Sequence, residues 1–385
     1  FSPECLTLYM NNDCNLRCVY CYTDTSQGPA SRLDLETVVA AAEMVAENCR
    51  RKDIPFYVVI HGGGEPTLQL ERIDRVIACL EAVAARHEVQ LFRYIATNGV
   101  VPERKAHWLA RRFDLIGLSC DGPAAIHDSQ RAGRDGRGTL HLLERTAHVL
   151  QEEGCRLHVR ATITRASLHR QTEIADYICQ QFLPEEIHFE PVYRCGKVKA
   201  AECLSVEHAD AFVSHFLKAR SVAQGNSVPL LSSGTRPGSL HGPYCNLFRH
   251  VINLVPGDGA EGFTSAIATA CFKLTSAAQV QETGAAIGAL DRGTGRFEID
   301  DRRIQALFPQ LSAIMPECRS CFNRYHCAGE CPDRCPLDVE VGPPETWMPG
   351  FRCRVQKAIA SALLTETAAR LWAEVLASRT REPHG

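Results

Sequence analysis

The sequence predicts an α/β protein: a parallel sheet bent into a partial (β/α)6 barrel, followed by a cysteine-rich region and a C-terminal helix. Three observations carry this. Residues 5–191 alternate short apolar, β-rich runs with stretches of helical period. The residues with chemistry in them fall just after the β-rich runs, where parallel α/β sheets keep their sites. Beyond residue 318, cysteines recur at spacings of two, five and three residues.

The β-rich runs are residues 6–10, 56–61, 90–96, 115–120, 156–164 and 186–190. The helical stretches are 35–51, 70–87, 103–112, 139–153 and 168–182. Short apolar strands separated by helices imply a parallel sheet with helices outside, closing like three-quarters of an eightfold barrel. Residues 192–240 form a polar connector with a helix over 207–220. A Gly/Ser/Pro stretch at 231–242 marks a boundary. The expected division is therefore 1–235 for the barrel and connector, 236–354 for the cysteine-rich domain and 355–385 for a helix and tail. Within the second unit a hairpin is expected over 251–270, turning at Pro256-Gly257-Asp258-Gly259. Val355, Ile359, Leu363, Leu364, Leu371 and Val375 repeat at helical spacing, as in a helix docked on a core. Residues 379–385 are expected to be disordered.

With 385 residues, 45% of them hydrophobic, the chain can bury a sizeable core. A formal net charge of −3 gives no basic footprint, so a nucleic-acid partner is not expected. No apolar run reaches the ~18 residues of a membrane span. No basic-then-apolar segment precedes Cys5, which makes a cytoplasmic location the expectation. Nineteen cysteines in tight clusters would then read as metal ligands rather than disulfides.

The stretch Cys14-Asn-Leu-Arg-Cys18-Val-Tyr20-Cys21 follows the first strand. Three thiolates can wrap one corner of a cubic iron–sulfur cluster and leave one iron open to a small molecule. A structural zinc is the alternative, although zinc wants a fourth ligand. CxxxCxxC with an aromatic before its last cysteine resembles the signature of the radical S-adenosylmethionine (SAM) enzymes. That resemblance implies a [4Fe-4S] cluster on Cys14, Cys18 and Cys21, SAM at its open iron, and Tyr20 against the purine. It assigns Gly63, Gly64 and Glu65, in His61-Gly-Gly-Gly-Glu65-Pro-Thr67, to the amino group of SAM. Asn98, in the turn signal Thr97-Asn98-Gly99, would line the pocket. Ser119-Cys-Asp121-Gly-Pro with His127, Asp128 and Arg131 resembles the subgroup that modifies peptides and proteins. Ser119 would then meet the ribose, and Arg131 or Arg160 the carboxylate, which a guanidinium fork suits. Residues 131–138 (RAGRDGRG) read either as a cover over substrate or as a solvated connection.

The second set is Cys245, Cys271, then Cys318-x2-Cys321-x5-Cys327-x3-Cys331, with Cys335 and Cys353 beyond. It resembles the SPASM extension of radical SAM peptide maturases, which carries two auxiliary [4Fe-4S] clusters. Carried over, the first cluster takes Cys245, Cys271 and Cys331. The second takes Cys318, Cys321, Cys327 and Cys353, with Cys335 as a possible replacement for the last. No cysteine lies between Cys245 and Cys271, and Ala266 stands where a glycine is usual. The first cluster is thus left with an open iron, a non-cysteine ligand or a substrate ligand. Structural zinc sites are the alternative here too.

The resemblance implies a 5′-deoxyadenosyl radical that takes hydrogen from unactivated carbon. Auxiliary clusters that accept the remaining electron argue for a net two-electron oxidation. Sulfatase maturases place an aspartate beside the cysteine that closes the hairpin, and here that neighbour is Phe272. Crosslinking of a ribosomally made precursor peptide, through a thioether, C–C or C–O bond, is therefore expected ahead of formylglycine formation or oxidation of a small molecule. A reductant such as flavodoxin or ferredoxin is implied. Only thirteen residues precede Cys14, so a leader-binding domain would have to be supplied by a separate protein or by the barrel loops. An Fe–S electron-transfer protein is the reading from another class, and residues 61–66 and 119–121 speak against it, because electron transfer needs no amino-acid or ribose pocket.

Overall fold

The computed structural model describes residues 1–23, 33–194, 198, 200–257, 266–338 and 342–379. Strands β1 (Cys5–Tyr9), β2 (Phe56–His61), β3 (Leu91–Thr97), β4 (Leu115–Ser119), β5 (Leu157–Ile163) and β6 (Glu186–Pro191) pair in parallel in chain order. Between them run helices α1 (Leu35–Lys52), α2 (Leu70–His87), α3 (Glu103–Arg112), α4 (Ala124–Gln130), α5 (Leu140–Glu152) and α6 (Gln171–Phe182). The six expected strands are all present, with ends within one residue of the sequence reading. α4 was not expected.

Sequence explains the layering. In α2, Ile73, Val76, Ile77, Leu80, Val83 and Ala84 are buried at the i, i+3, i+4, i+7 spacing of one helical face. In α1 the Asp34 carboxylate accepts from the amides of Glu36 and Thr37, and the helix ends on Asp53 in the left-handed conformation. β5 alternates: Leu157, Val159, Ala161 and Ile163 face the helices, while His158, Arg160 and Thr162 face inward. The inner face of the sheet is thus polar, and the outer face is core.

After β6, α7 (Ala209–Gly225) packs on α6 and leads to a two-residue edge strand, β7 (Leu230–Leu231). The expected hairpin is β8 (Val251–Val255) and β9 (Ile267–Thr269), antiparallel with Asn253 opposite Thr269. Gly259 of its expected turn, like Cys195 of the connector, lies outside the described residues. β8 also pairs in parallel with β1, on the side away from β2, with Cys5 opposite Val251. The sheet therefore runs across residue 235 and reaches eleven strands. α8 (Ala277–Glu282), the hairpin β10 (Ala286–Asp291) and β11 (Arg296–Ile299), and α9 (Asp301–Leu311) complete this arm.

α10 (Phe351–Arg379) buries Phe351, Val355, Ile359 and Ala360, but Leu364, Leu371, Trp372 and Leu376 are exposed. The expectation of a docking face along the whole helix is corrected: only its first third covers core. No helix of the described residues is long and apolar enough to cross a membrane.

Candidate active site

A cavity of about 220 Å³ opens at the carboxyl ends of β1–β6. Cys14, Cys18, Cys21, Tyr20, Gly63, Gly64, Glu65, Asn98, Ser119, Arg131 and Arg160, the whole set expected in the barrel, line it together.

The cysteine loop is held by backbone bonds from two sides. The Gly64 amide donates to Asn11 O (2.9 Å) and the Glu65 amide to Asp13 O (2.7 Å). Across the loop, the Arg17 amide donates to Ala132 O (2.8 Å) and the Val19 amide to Gln130 O (3.0 Å), while Leu16 bridges Gly133. Residues 131–138 thus clamp the cysteine loop, which neither of the two sequence readings included. A Cβ on Gly64 would land on the Asp13 carbonyl, and one on Gly63 on the Asn12 side chain. The glycines are needed for the approach of this loop as well as for any ligand.

Glu65 is buried and its carboxylate is committed inward. It accepts from the Thr67 amide (3.0 Å), the Thr67 and Thr97 hydroxyls (2.6 Å each) and the Asn98 amide (2.8 Å). Burial pushes its carboxyl above the usual range, against these four bonds. The Asn98 side chain donates to Asn15 Oδ1 (2.8 Å), and Asn15 to Val100 O (2.9 Å), tying the β3 turn to the cysteine loop.

The two candidate arginines are placed differently. Asp121 is fully buried and collects Tyr20 OH (2.5 Å), Gln130 Nε2 (2.8 Å), the Thr162 amide (2.9 Å) and an ion pair with Arg131 Nε (3.0 Å). The Arg131 guanidinium also lies 5.2 Å from the Tyr20 ring centre, so it covers one face of the aromatic. Arg160 is half-exposed to the interior, bonded to Tyr193 OH (2.7 Å) and 4.0 Å from Glu190. Ser119 is its register neighbour on β4. Asp121 stood in the quoted motif without a role, Thr162, Glu190 and Tyr193 of the cavity wall were missed, and Phe272, noted in the sequence as standing in place of an aspartate, also lines the wall. Glu190 and Tyr193 carried the same signal as the others, lying at or just past the end of a parallel strand.

The thiols fit a cluster better than a single ion. The sulfurs of a tetrahedral zinc site lie about 3.8 Å apart, given Zn–S near 2.3 Å. Among the described residues, three donor atoms come within 4.8 Å of one another only at His158, Glu186 and His188. Burial pushes Cys14 up to about 11 and Cys18 to about 12, so without metal both are protonated at neutral pH. The Leu16 amide points at Cys14 Sγ (3.4 Å), a donor suited to a metal-bound thiolate.

Seven of the eight downstream cysteines line a second cavity of about 120 Å³, and Cys271 is a neighbour of two of them, Cys245 and Cys331. Their electrostatic neighbours fall into two sets. Cys245 feels Cys331, Cys271 and Cys335, and Cys331 feels Cys271 and Cys335. Cys327 feels Cys353, Cys318 and Cys321, and Cys353 feels Cys318 and Cys321. Lys273 Nζ donates to Pro332 O (3.0 Å), bringing the Cys271 segment onto the loop between Cys331 and Cys335. Cys335, the possible alternative to Cys353, has Cys245 and Cys331 as its neighbours, whereas Cys353 neighbours Cys318, Cys321 and Cys327. Arg352, buried, pairs with Asp333 (2.6 Å) and donates to Pro191 O (3.1 Å) and Val192 O (3.2 Å), linking this region to the first cavity.

Residues 8–169 match the sequence profile of the Radical SAM superfamily. The chain carries a radical SAM domain over those residues. Among curated relatives, Fe-coproporphyrin III synthase of Methanosarcina barkeri is 25% identical over 284 residues, covering 73% of this chain and 64% of that protein. The cysteine-type anaerobic sulfatase-maturating enzyme of Clostridium perfringens is 24% identical over 173 residues (43% and 46%). The mycofactocin maturase of Mycolicibacterium smegmatis is 29% identical over 178 residues (45% and 41%). The matched stretches thus span less than two thirds of each relative's own length. The fold resembles native anSMEcpe with bound AdoMet and Cp18Cys peptide, with TM-score 0.70 and 18% identity over 96% of this chain and all of that one. It also resembles Streptococcus suis SuiB bound to precursor peptide SuiA, with TM-score 0.57 and 14% identity over 89% and 74%.

Proposed function

We propose that this chain is a radical SAM oxidoreductase that oxidatively modifies a ribosomally made peptide, forming an intramolecular crosslink. The observation that carries the reading is convergence: eleven residues from the ends of five strands line one cavity, and seven of the eight downstream cysteines line a second. A [4Fe-4S] cluster with SAM, when bound, supplies an electron and a 5′-deoxyadenosyl radical able to take hydrogen from carbon. Cys14, Cys18 and Cys21 would hold that cluster, and the Leu16 amide would stabilise its sulfur. Ser119 and Arg160, side by side, are suited to the ribose and carboxylate of SAM, whereas Arg131 is committed to Asp121 and positions Tyr20. Glu65 acts through the turns it holds together.

The first auxiliary cluster is assigned Cys245, Cys271, Cys331 and Cys335, and the second Cys318, Cys321, Cys327 and Cys353. With four thiols, the first has no open iron for a substrate thiolate, so electron acceptance is its role and a C–C or C–O bond is favoured over a thiolate-bound thioether route. Phe272, with its ring beside Tyr193 and Tyr244, makes the wall apolar where a formylglycine enzyme would want a carboxylate. The direct test is anaerobic iron and sulfide quantification beside an assay for 5′-deoxyadenosine with dithionite. About twelve irons with cleavage are expected. Fully loaded protein that leaves SAM intact would overturn the reading.

A further inference from the structure

The upper cavity continues into the barrel interior as a chamber of about 420 Å³, bounded by the inward faces of β1–β6, by β8 and by residues 233–249. Its charges do not balance. The two carboxylates nearby are occupied: Glu186 pairs with His188, and Glu190 accepts the Ser233 amide (2.9 Å) and faces Arg160. Burial keeps His158 and His241 below their usual range, toward the neutral form. That leaves Arg236 and Arg249, which make no ion pair among the described residues and line the same wall. They are close enough to repel, and the Arg249 guanidinium is held below its ordinary range by burial and then by Arg236. Arg249 lies 5.7 Å over the ring of Tyr244, whose hydroxyl is buried and has no hydrogen-bond partner among the described residues.

Two cations exposed to the chamber, with an orphaned buried hydroxyl beside one of them, make an electropositive wall that suits an anion. A carboxylate meets all three, since it accepts two guanidinium N–H groups in plane and an O–H besides. We propose that the lower chamber grips a carboxylate-bearing part of the substrate through Arg236, Arg249 and Tyr244, leaving the carbon to be oxidised in the cavity above. This rests on the reading of the upper cavity as the radical site.

The carboxylate can come from an acidic peptide or from a small polycarboxylate, and two arms separate them. Anaerobic, cluster-loaded protein is titrated with a fluorescent glutamate-containing peptide against its glutamine counterpart, and with coproporphyrin III against its tetramethyl ester. One acidic probe is expected to bind about tenfold or more tightly than its uncharged partner. The Arg236→Gln/Arg249→Gln protein should lose about tenfold of that affinity, the double lysine protein should keep most of it, and Tyr244→Phe should lose severalfold. Equal binding of charged and uncharged probes, no loss in the double glutamine protein, or no binding of either acidic probe would each overturn the proposal. Wild-type SAM cleavage tests the underlying reading separately: cleavage without acid preference sinks only the chamber, and acid binding without cleavage sinks only the radical reading.

Discussion

Asp121 is the residue on which three segments of the upper cavity meet: the cysteine loop through Tyr20, α4 through Gln130 and Arg131, and β5 through Thr162. Because it is fully buried, its charge is tolerable only with Arg131 beside it. Asp121→Asn keeps the shape and leaves the arginine unpaired. Denaturant unfolding should register a loss of roughly 3 kcal/mol. An unchanged midpoint would mean that Arg131 finds another partner. At Gly64 the constraint is space. Alanine there would overlap the Asp13 carbonyl, and the turn and the cysteine loop would have to separate. Gly64→Ala is expected to lose about four irons per chain while the auxiliary sets stay loaded. Iron analysis with and without the Cys14/Cys18/Cys21 triad replaced would show which cluster was lost.

At the scale of elements, the barrel strands could be read because their outer faces repeat Val, Ile, Leu and Ala against the helices, and the five expected helices because each buries one apolar stripe. α4 escaped because seven residues, AAIHDSQ, are too short and polar for a period. The pairing of β8 with β1 leaves no local mark, since the partners stand some 246 positions apart (Cys5 with Val251) and neither carries a turn signal. α10 misled in the opposite way. Its apolar spacing continues past Leu363, yet none of its described side chains from Leu364 onward is in the core. Truncation after Thr367 removes no core residue among the described ones and keeps the Arg220–Glu366 ion pair. It should therefore cost less than about 1 kcal/mol in denaturant unfolding. A larger loss would place a packing partner on the second half of the helix.

At the scale of the whole molecule, the cysteine and glycine motifs were legible because their chemistry admits few substitutes, whereas Arg236 and Arg249 are ordinary exposed types that only closure of the barrel brings onto one chamber wall. The division of the downstream cysteines belonged to the same hidden class. Spacing alone could not tell whether Cys335 duplicated Cys353 or completed the other set, because that depends on the Cys271 segment folding back through Lys273 onto Pro332. The two alternatives predict different electronic structures for the loaded protein. If Cys335 completes the first cluster, Cys335→Ala opens one iron there, and Cys353→Ala opens one in the second. The two proteins should then change different components of the reduced EPR spectrum, and the double variant should change both. Cys335 should also resist iodoacetamide until the iron is removed, because a metal-bound thiolate is shielded from alkylation. A wild-type spectrum in Cys335→Ala together with ready alkylation of Cys335 in loaded protein would return an open iron to the first cluster. The thiolate-bound route to a thioether would then regain its ligand site.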